Sequence, residues 1–386
     1  MILAALVVPL VVLAGAVVLR AHHTALTGQP STTPTPSASS SPTPATSPTF
    51  SPIPRPGADI TGPLNILLAG VDTRISVPGW QPHADAVLVM HVTAGLDRAY
   101  LFSLPRDLVV DIPPFPKAGF SGERTKLTHA MSYGSQVPGK PDEPDTAQGL
   151  ELLAMTVSRY TGIERFDAAA VVTFQGFDAL VDVIGGVDLY IDQRVVSRHR
   201  RPDGRHREPG PGVGGYVGPQ MVYEKGWRHL DGWQALDYAR QRYIPGGAYA
   251  RERHQQQLIK AIVGKIHELN LTGNRAALGA ALVALSQTLT FDGNGRSILD
   301  FAFALRGLRA DAITLVSLPG HGVGSGGSYR GEQLAPVGRK FIAELRAGRA
   351  DAFLAAHPEL VVPDPPSRGT PSPTGNAHRP STTPSS

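Results

Sequence analysis

The 386-residue chain contains no cysteine. Disulfides, zinc–thiolate sites and a thiol nucleophile are therefore excluded. The absence is no direct reading of compartment, although it suits a protein that avoids thiol oxidation outside the cytoplasm. No HExxH pair is present, which removes one zinc-hydrolase pattern. The stretch GHGVGSGG (Gly320 to Gly327) is rich in glycine but carries no P-loop lysine, so it reads as a flexible loop. SLPRD (Ser103 to Asp107) lacks the histidine of a kinase catalytic loop. Charge is modest too: 18% of residues are charged and the net charge is +4. A bias that small does not argue for a nucleic-acid partner.

What is abundant is glycine and proline, 42 and 35 residues, with much of the proline in two tails. Ile2 to Leu19 is an unbroken apolar and glycine run, long enough to cross a bilayer. A cleavable signal peptide is the rival reading, but no clean small-x-small cleavage site lies between the run and His22. Residues 1–20 are therefore expected to be a retained transmembrane helix. Arg20 follows the span and nothing basic precedes it except the initiator amine, so the positive-inside rule lends no support to an external bulk. Residues 21–60 are Pro/Ser/Thr-rich and cannot bury a core, so they are expected to be a disordered spacer; residues 363–386 repeat that composition. The folded domain is expected over residues 61–362.

Within it, Leu64 to Val71 is a nearly continuous apolar run and predicts a buried strand. Ala86 to Val92 and Arg98 to Leu104 predict two more, joined by the turn Ala94–Asp97. If both pairs are antiparallel, one sheet edge receives the end of the first strand, the start of the second and the end of the third. Asp72 and Arg74, then Asp85, then Arg106 and Asp107 occupy those positions. Further on, helices are expected over Asp145 to Arg159, Phe177 to Ile184, Arg275 to Thr288, Ser297 to Leu308 and Glu332 to Ala347. Strands are expected over Ala169 to Phe174, Val187 to Ile191 and Ile313 to Leu318. Gln193 to Lys225 is long enough to be a lid or binding loop. Irregular alternation of strands and helices predicts α/β with a mixed central sheet flanked by helices.

The stretch from His229 to Ile262 carries unusual charge. Asp231 and Gln234 have the spacing of a capping box, and Trp233 and Leu236 share a face. After the break at Pro245-Gly246-Gly247, Leu258, Ile262, Ile266 and Leu269 keep helical spacing. Arg240, Arg242, Arg251 and Arg253 crowd the junction of the two helices. Arginines at a helix start oppose its dipole, and they make sense if an anion sits there. A solvated basic surface is the competing reading. Arg251 and Gln255 share a helix face. His199 and His206, in the basic loop, read as solvated. His129 could shuttle protons beside the site, but a structural role has the stronger claim.

LDGWQALDYARQR followed by RERHQQQ resembles the signature of the LytR-CpsA-Psr family. GVDTR (Gly70 to Arg74), ADA (Ala84 to Ala86), SLPRD and KLTHAMSYG (Lys126 to Gly134) do so as well, in family order from about Asn65 to Lys260. The resemblance implies a membrane-anchored, extracytoplasmic phosphotransferase with an α-β-α fold. Such an enzyme uses Mg²⁺ to move a glycopolymer, for example teichoic acid or arabinogalactan, from a polyprenyl pyrophosphate carrier to peptidoglycan. It implies Asp72 and Asp85 as metal ligands and, with Arg106, as catalytic residues. Arg106, Arg240, Arg242 and Gln255 would hold the pyrophosphate, with Arg74, Lys126 and Arg251 at further polar motif positions. The lipid would lie in an apolar tunnel, for which Val171 to Phe174 and Phe177 to Ile184 are candidates, although plain core is the commoner role for such runs. One position departs from the family: Ala248 stands where an acidic residue is usual. Glu252, one helical turn on, is expected to bring a carboxylate back. A non-catalytic lipid-pyrophosphate binder and a lipid pyrophosphatase are the rival functions.

Overall fold

The structure is a computed structural model, and it describes residues 56–72, 79–269 and 288–368. The expected transmembrane helix, most of the spacer, Arg74, most of the helix expected over Arg275 to Thr288, and the tail beyond Arg368 lie outside the described residues. Among the described residues no helix is long and apolar enough to cross a membrane.

Three strands form the centre: β1 (Leu64–Asp72), β2 (His83–Val92) and β3 (Ala99–Leu104). Both pairings are antiparallel, as the hairpin logic requires. Strand β4 (Ala168–Thr173) runs parallel to β1, β5 (Leu289–Asp292) antiparallel to β4, and β6 (Ile313–Val316) parallel to β3. The order is β5-β4-β1-β2-β3-β6, a mixed six-stranded sheet. Side chains alternate faces along each strand. Ile66 and Leu68 join one core, while Leu67, Ala69 and Val71 join the other. That is why β1 reads as a continuous apolar run: both of its faces are covered.

Two helical layers do the covering. On one face lie α1 (Thr128–Gly134) and α2 (Thr146–Thr161) with two helices from the C-terminal part, Pro336–Arg346 and Ala350–Ala356. Asp145 caps α2 by accepting from the Ala147 and Gln148 backbone N–H groups. On the other face lie α3 (Phe174–Val183), α4 (Gly232–Arg240), α5 (Gly247–Glu268) and α6 (Ile298–Leu305). The Asp231–Gln234 capping box starts α4, and Leu258 and Ile262 of α5 are fully buried. The packing of α3 on α4 is tight, since a Cβ on Gly232 would collide with the backbone carbonyl of Asp178.

Several elements differ from expectation. Val187–Ile191 is a strand, but it pairs with Gly226–Leu230 in a separate hairpin, outside the central sheet. The helix expected from Glu332 starts only at Pro336, because Gly331–Leu334 is a strand paired with Gly320–Val323. The glycine-rich stretch thus forms half of a hairpin. Helix α3 starts three residues early because Thr173 caps it, accepting from Gly176 N.

The long loop from Gln193 to Lys225 has little regular structure but is held by buried polar groups. Arg207, 5% exposed, donates to the carbonyls of Arg198 (2.9 Å), Tyr216 (3.1 Å) and Gly218 (3.3 Å). Asp237 of α4 accepts from Ser197 Oγ (3.0 Å), Tyr223 Oη (2.9 Å) and Gln241 Nε2 (2.9 Å). These bonds fix the loop over α4. Removing Arg207 leaves three loop carbonyls without their donor. Replacing Arg207 by alanine is therefore expected to cost about 3 kcal/mol in urea unfolding, the order of a buried charged hydrogen-bond set. It should also speed tryptic cleavage within residues 194–225; a variant with unchanged stability and unchanged cleavage would count against this role.

Candidate functional site

An open, polar cleft of about 810 Å³ lies at the end of the sheet where β1 finishes and β2 begins. The β1–β2 register passes from Gly70↔Ala86 to Val71↔Ala84, so Asp85 sits in a bulge without a strand partner. Bulges re-aim side chains, and this one brings Asp85 to the cleft together with Asp72. Arg106, just after β3, forms an ion pair with Asp85. Arg240, at the end of α4, reaches Asp72 at 3.4 Å and lies over the Phe174 ring at 4.4 Å. From α5 come Arg251 and Gln255. Arg242 enters from the loop between the helices, beside Tyr243. The converging strand ends and the arginine-rich helix junction thus form one site.

The site holds excess positive charge. Arg251 is only 6% exposed; among the described residues it takes part in no ion pair within 4 Å, and its Nε has no hydrogen-bond partner. Burial pushes its guanidinium below the usual arginine range; Glu252 and Asp85 oppose that shift, while Arg106 and Arg242 add to it. Gln255 donates to the Ala239 carbonyl at 2.8 Å but leaves its Oε1 unpartnered. Buried donors and charges without partners are costly. An anion taken up between Arg251, Arg106 and Arg242 would remove that cost.

One expected site residue is elsewhere. Lys126 does not line the cleft: it pairs with Asp107 at 3.4 Å and lies over the Tyr329 ring. Arg74 lies outside the described residues. His129 is not a cleft residue either; it packs near His83 and Tyr133 and bonds Thr125 Oγ1 at 3.1 Å, a structural placement. Val171, Val172, Phe177, Leu180 and Val181 are plain core, while Phe174 and Asp178 of those runs border the cleft. Glu252 overturns an expectation. It does not line the cleft and is 6% exposed, with Arg251, Glu332 and Asp107 as its charged neighbours. Burial pushes its carboxyl up to about 8, so it is largely neutral at pH 7 and supplies no carboxylate in place of Ala248.

Sequence reading named the long loop as a candidate lid or binding loop but not the residues it supplies, and it took His199 and His206 as solvated. Arg198, His199 and Arg200 enter the cleft, as does His206. His199 is half-buried against Tyr216, and burial together with Arg240 and Arg198 pushes its imidazole down to about 4, so it is neutral. Asp178 of α3 is a further cleft residue; burial, opposed by Arg200, pushes its carboxyl up to about 6. The loop's length was the one available signal.

As a donor set, Asp72 and Asp85 suit a hard divalent cation whose remaining ligands come from phosphate and water. Among the described residues no group of three or more His, Cys, Asp or Glu side chains is placed to hold a metal by itself. The two carboxylates therefore fit a magnesium ion that arrives with, or is completed by, a phosphate ligand.

Fold and site define an α-β-α protein with an arginine-lined anion cleft at a sheet end. The sequence matches the LytR-CpsA-Psr (LytR_cpsA_psr) family over residues 23–337, and the chain belongs to that family. It is 28% identical over 253 residues to a polyisoprenyl-teichoic acid–peptidoglycan teichoic acid transferase, TagU, of Enterococcus faecalis, covering 65% of this chain and 70% of the relative. It is 26% identical over 276 residues to biofilm regulatory protein A of Streptococcus mutans, covering 69% of this chain and 59% of the relative. Among solved structures, protein gbs0355 of Streptococcus agalactiae gives a TM-score of 0.55 at 22% identity, over 75% of this chain and 88% of that one. TagT bound to LI-WTA gives 0.52 at 22%, over 75% and 90%. At that identity the structures show the shared fold.

Glu252 yields a stability test. A carboxyl at about 8 in the folded chain against 4.5 unfolded is neutral in both states below pH 4 and charged in both above pH 9. Between them the folded protein loses stability as pH rises, on the order of 5 kcal/mol in total at 1.36 kcal/mol per unit. Glu252→Gln should abolish that slope: similar to wild type in urea melts at pH 4.5, and more stable than wild type at pH 8.5. Parallel pH profiles for the two proteins would refute it.

Proposed function

We propose that the protein is a membrane-anchored, extracytoplasmic, Mg²⁺-dependent phosphotransferase. It moves a glycopolymer from a polyprenyl pyrophosphate carrier to peptidoglycan. The observation that carries this reading is Arg251, buried without an ion pair and facing Arg106 and Arg242 across the cleft. A cleft that keeps unmatched guanidinium donors beside two carboxylates suits a pyrophosphate with a cation. Family membership and a relative named as a teichoic acid transferase support the class of substrate. The apolar run at Ile2 to Leu19 supports the anchor, and the Pro/Ser/Thr spacer supports display beyond the membrane.

In this reading Arg106, Arg242 and Arg251 bind the pyrophosphate oxygens and neutralise the charge that builds on them during transfer. Gln255 donates to the bound group through the second N–H of its amide, the first being held by the Ala239 carbonyl. Asp72 and Asp85 would hold a bound magnesium ion, which supplies charge neutralisation at the phosphates. Arg240, stacked on Phe174, keeps its guanidinium plane fixed toward Asp72. The rival reading, a non-catalytic binder, is favoured by Ala248 alone.

Two experiments test the reading. Arg251→Ala should weaken binding of a short polyprenyl pyrophosphate by about 1.5–3 kcal/mol, with poor rescue by lysine, which lacks the planar fork. Unchanged affinity would remove the central observation. Turnover of a lipid-linked substrate should require both Mg²⁺ and a peptidoglycan fragment. Asp72→Asn and Asp85→Asn should each abolish it, with non-additive losses because they disable one unit. Cleavage without acceptor would indicate a pyrophosphatase, and binding without turnover a non-catalytic protein.

A further inference from the structure

The charged residues of the cleft fall into two sets. Around Arg251 the charged neighbours are Glu252, Asp85, Arg106 and Arg242. Around Asp178 they are Arg200 from the long loop, Asp182 on its own helix, and Arg240 and Asp231 from α4. His199 shares the second set, with Arg240, Arg198, His206 and Arg200 about it. Arg240, paired with Asp72, belongs to the second set and connects it to the metal-type carboxylates. The first set carries the unmatched guanidinium donors. The second carries a carboxylate that, among the described residues, makes no ion pair and accepts no hydrogen bond, with Oδ1 sheltered from water. The backbone at Asp178 is pinned by the close approach of Gly232, so the side chain starts from a fixed point.

Taking the transferase reading as its basis, we propose that Asp178 is the proton acceptor for the attacking hydroxyl of the acceptor sugar, and that the part of the cleft it lines with Arg200 and His199 is the acceptor subsite. The hydroxyl oxygen forms a bond to the phosphorus that carries the glycopolymer. The bond from that phosphorus to the bridging oxygen of the carrier breaks, and the electron pair leaves with polyprenyl phosphate. The hydroxyl proton passes to Asp178 and from there to water in the open cleft. A carboxylate without internal donors is free to take that proton, and the rise of its carboxyl to about 6 makes it a stronger base while leaving it mostly ionised at neutral pH. Asp85 is less suited, since Arg106 already occupies it.

The test uses the full-length protein in detergent, with Mg²⁺, a short-chain polyprenyl-pyrophosphate disaccharide and a peptidoglycan fragment. Transfer and carrier binding are measured from pH 5 to 8. Wild type should show an acidic limb in the transfer rate near pH 6. Asp178→Asn, which is isosteric, should lose at least 100-fold in rate and lose the limb, while binding the carrier as tightly as wild type or more so. Asp178→Glu should recover part of the rate. A purely structural role would instead weaken carrier binding in parallel with rate, and that result would overturn the assignment. An asparagine variant that keeps a near-wild-type rate and the same limb would also overturn it. A wild type that transfers nothing to the fragment would overturn the transferase reading itself, an outcome seen before any variant is made.

Discussion

Mutual repulsion among arginines is the constraint around which this protein is built. Arg106, Arg198, Arg200, Arg240, Arg242 and Arg251 share one cleft. Held together without counter-charge, they would force the strand ends and the helix junction apart. The fold answers in two ways. Carboxylates from the strand ends engage Arg106 and Arg240, and backbone carbonyls of the loop engage Arg198 and Arg200. Arg242, exposed beside Tyr243, and Arg251, buried, are left without an ion pair among the described residues. The remaining stress is the part a ligand can relieve, so the binding energy for an anion is already stored in the unliganded arrangement.

The same principle explains why the supporting network lies outside the cleft. Asp192 binds Arg253 at 2.7 Å and His254 at 2.9 Å, and these contacts hold its carboxyl below the usual range against the effect of burial. Arg253 and His254 are neighbours of Arg251 in sequence but face the hairpin formed by Val187–Ile191 and Gly226–Leu230. Helix α5 is thus anchored by one face while its arginine on another face stays unmatched. Gln256 extends the anchoring inward, donating to Ser103 Oγ at 3.0 Å and the Val316 carbonyl at 3.1 Å. An arginine held this firmly loses little entropy when an anion arrives.

Much of this was legible in the chain. Apolar runs and one hairpin turn place Asp72, Asp85 and Arg106 at a common edge, because strand pairing is local there and needs no distant contact. The capping box at Asp231 and the break at Gly246–Gly247 are equally local signals. What could not be read depends on burial by distant elements. Glu252 sits one turn from Ala248 in a helical count, but helix position alone does not say which neighbours cover it. Glu332 and Asp107, far away in sequence, turn that face into a dry acidic pocket. Lys126 keeps a family motif position yet turns to Asp107 and Tyr329. The loop residues Arg198, His199 and Arg200 are legible only through buried Arg207 and Asp237, whose partners are set by tertiary packing.

The absence of a carboxylate at position 248 then acquires a physical meaning. An acidic side chain there would add negative charge at the start of α5, near Arg242 and Arg251. With alanine in place and Glu252 held neutral by burial at pH 7, that charge is not replaced from α5. Asp178 adds a carboxylate in the other part of the cleft, beside Arg200 and Arg240. Negative charge is therefore moved from the arginine cluster that faces Asp85 toward the part bordered by the long loop. The first becomes more attractive to an anion, and the second gains a group able to take a proton. Both changes push the cleft toward separating a charged donor from a neutral nucleophile, which is the division of labour that a transfer between two substrates requires.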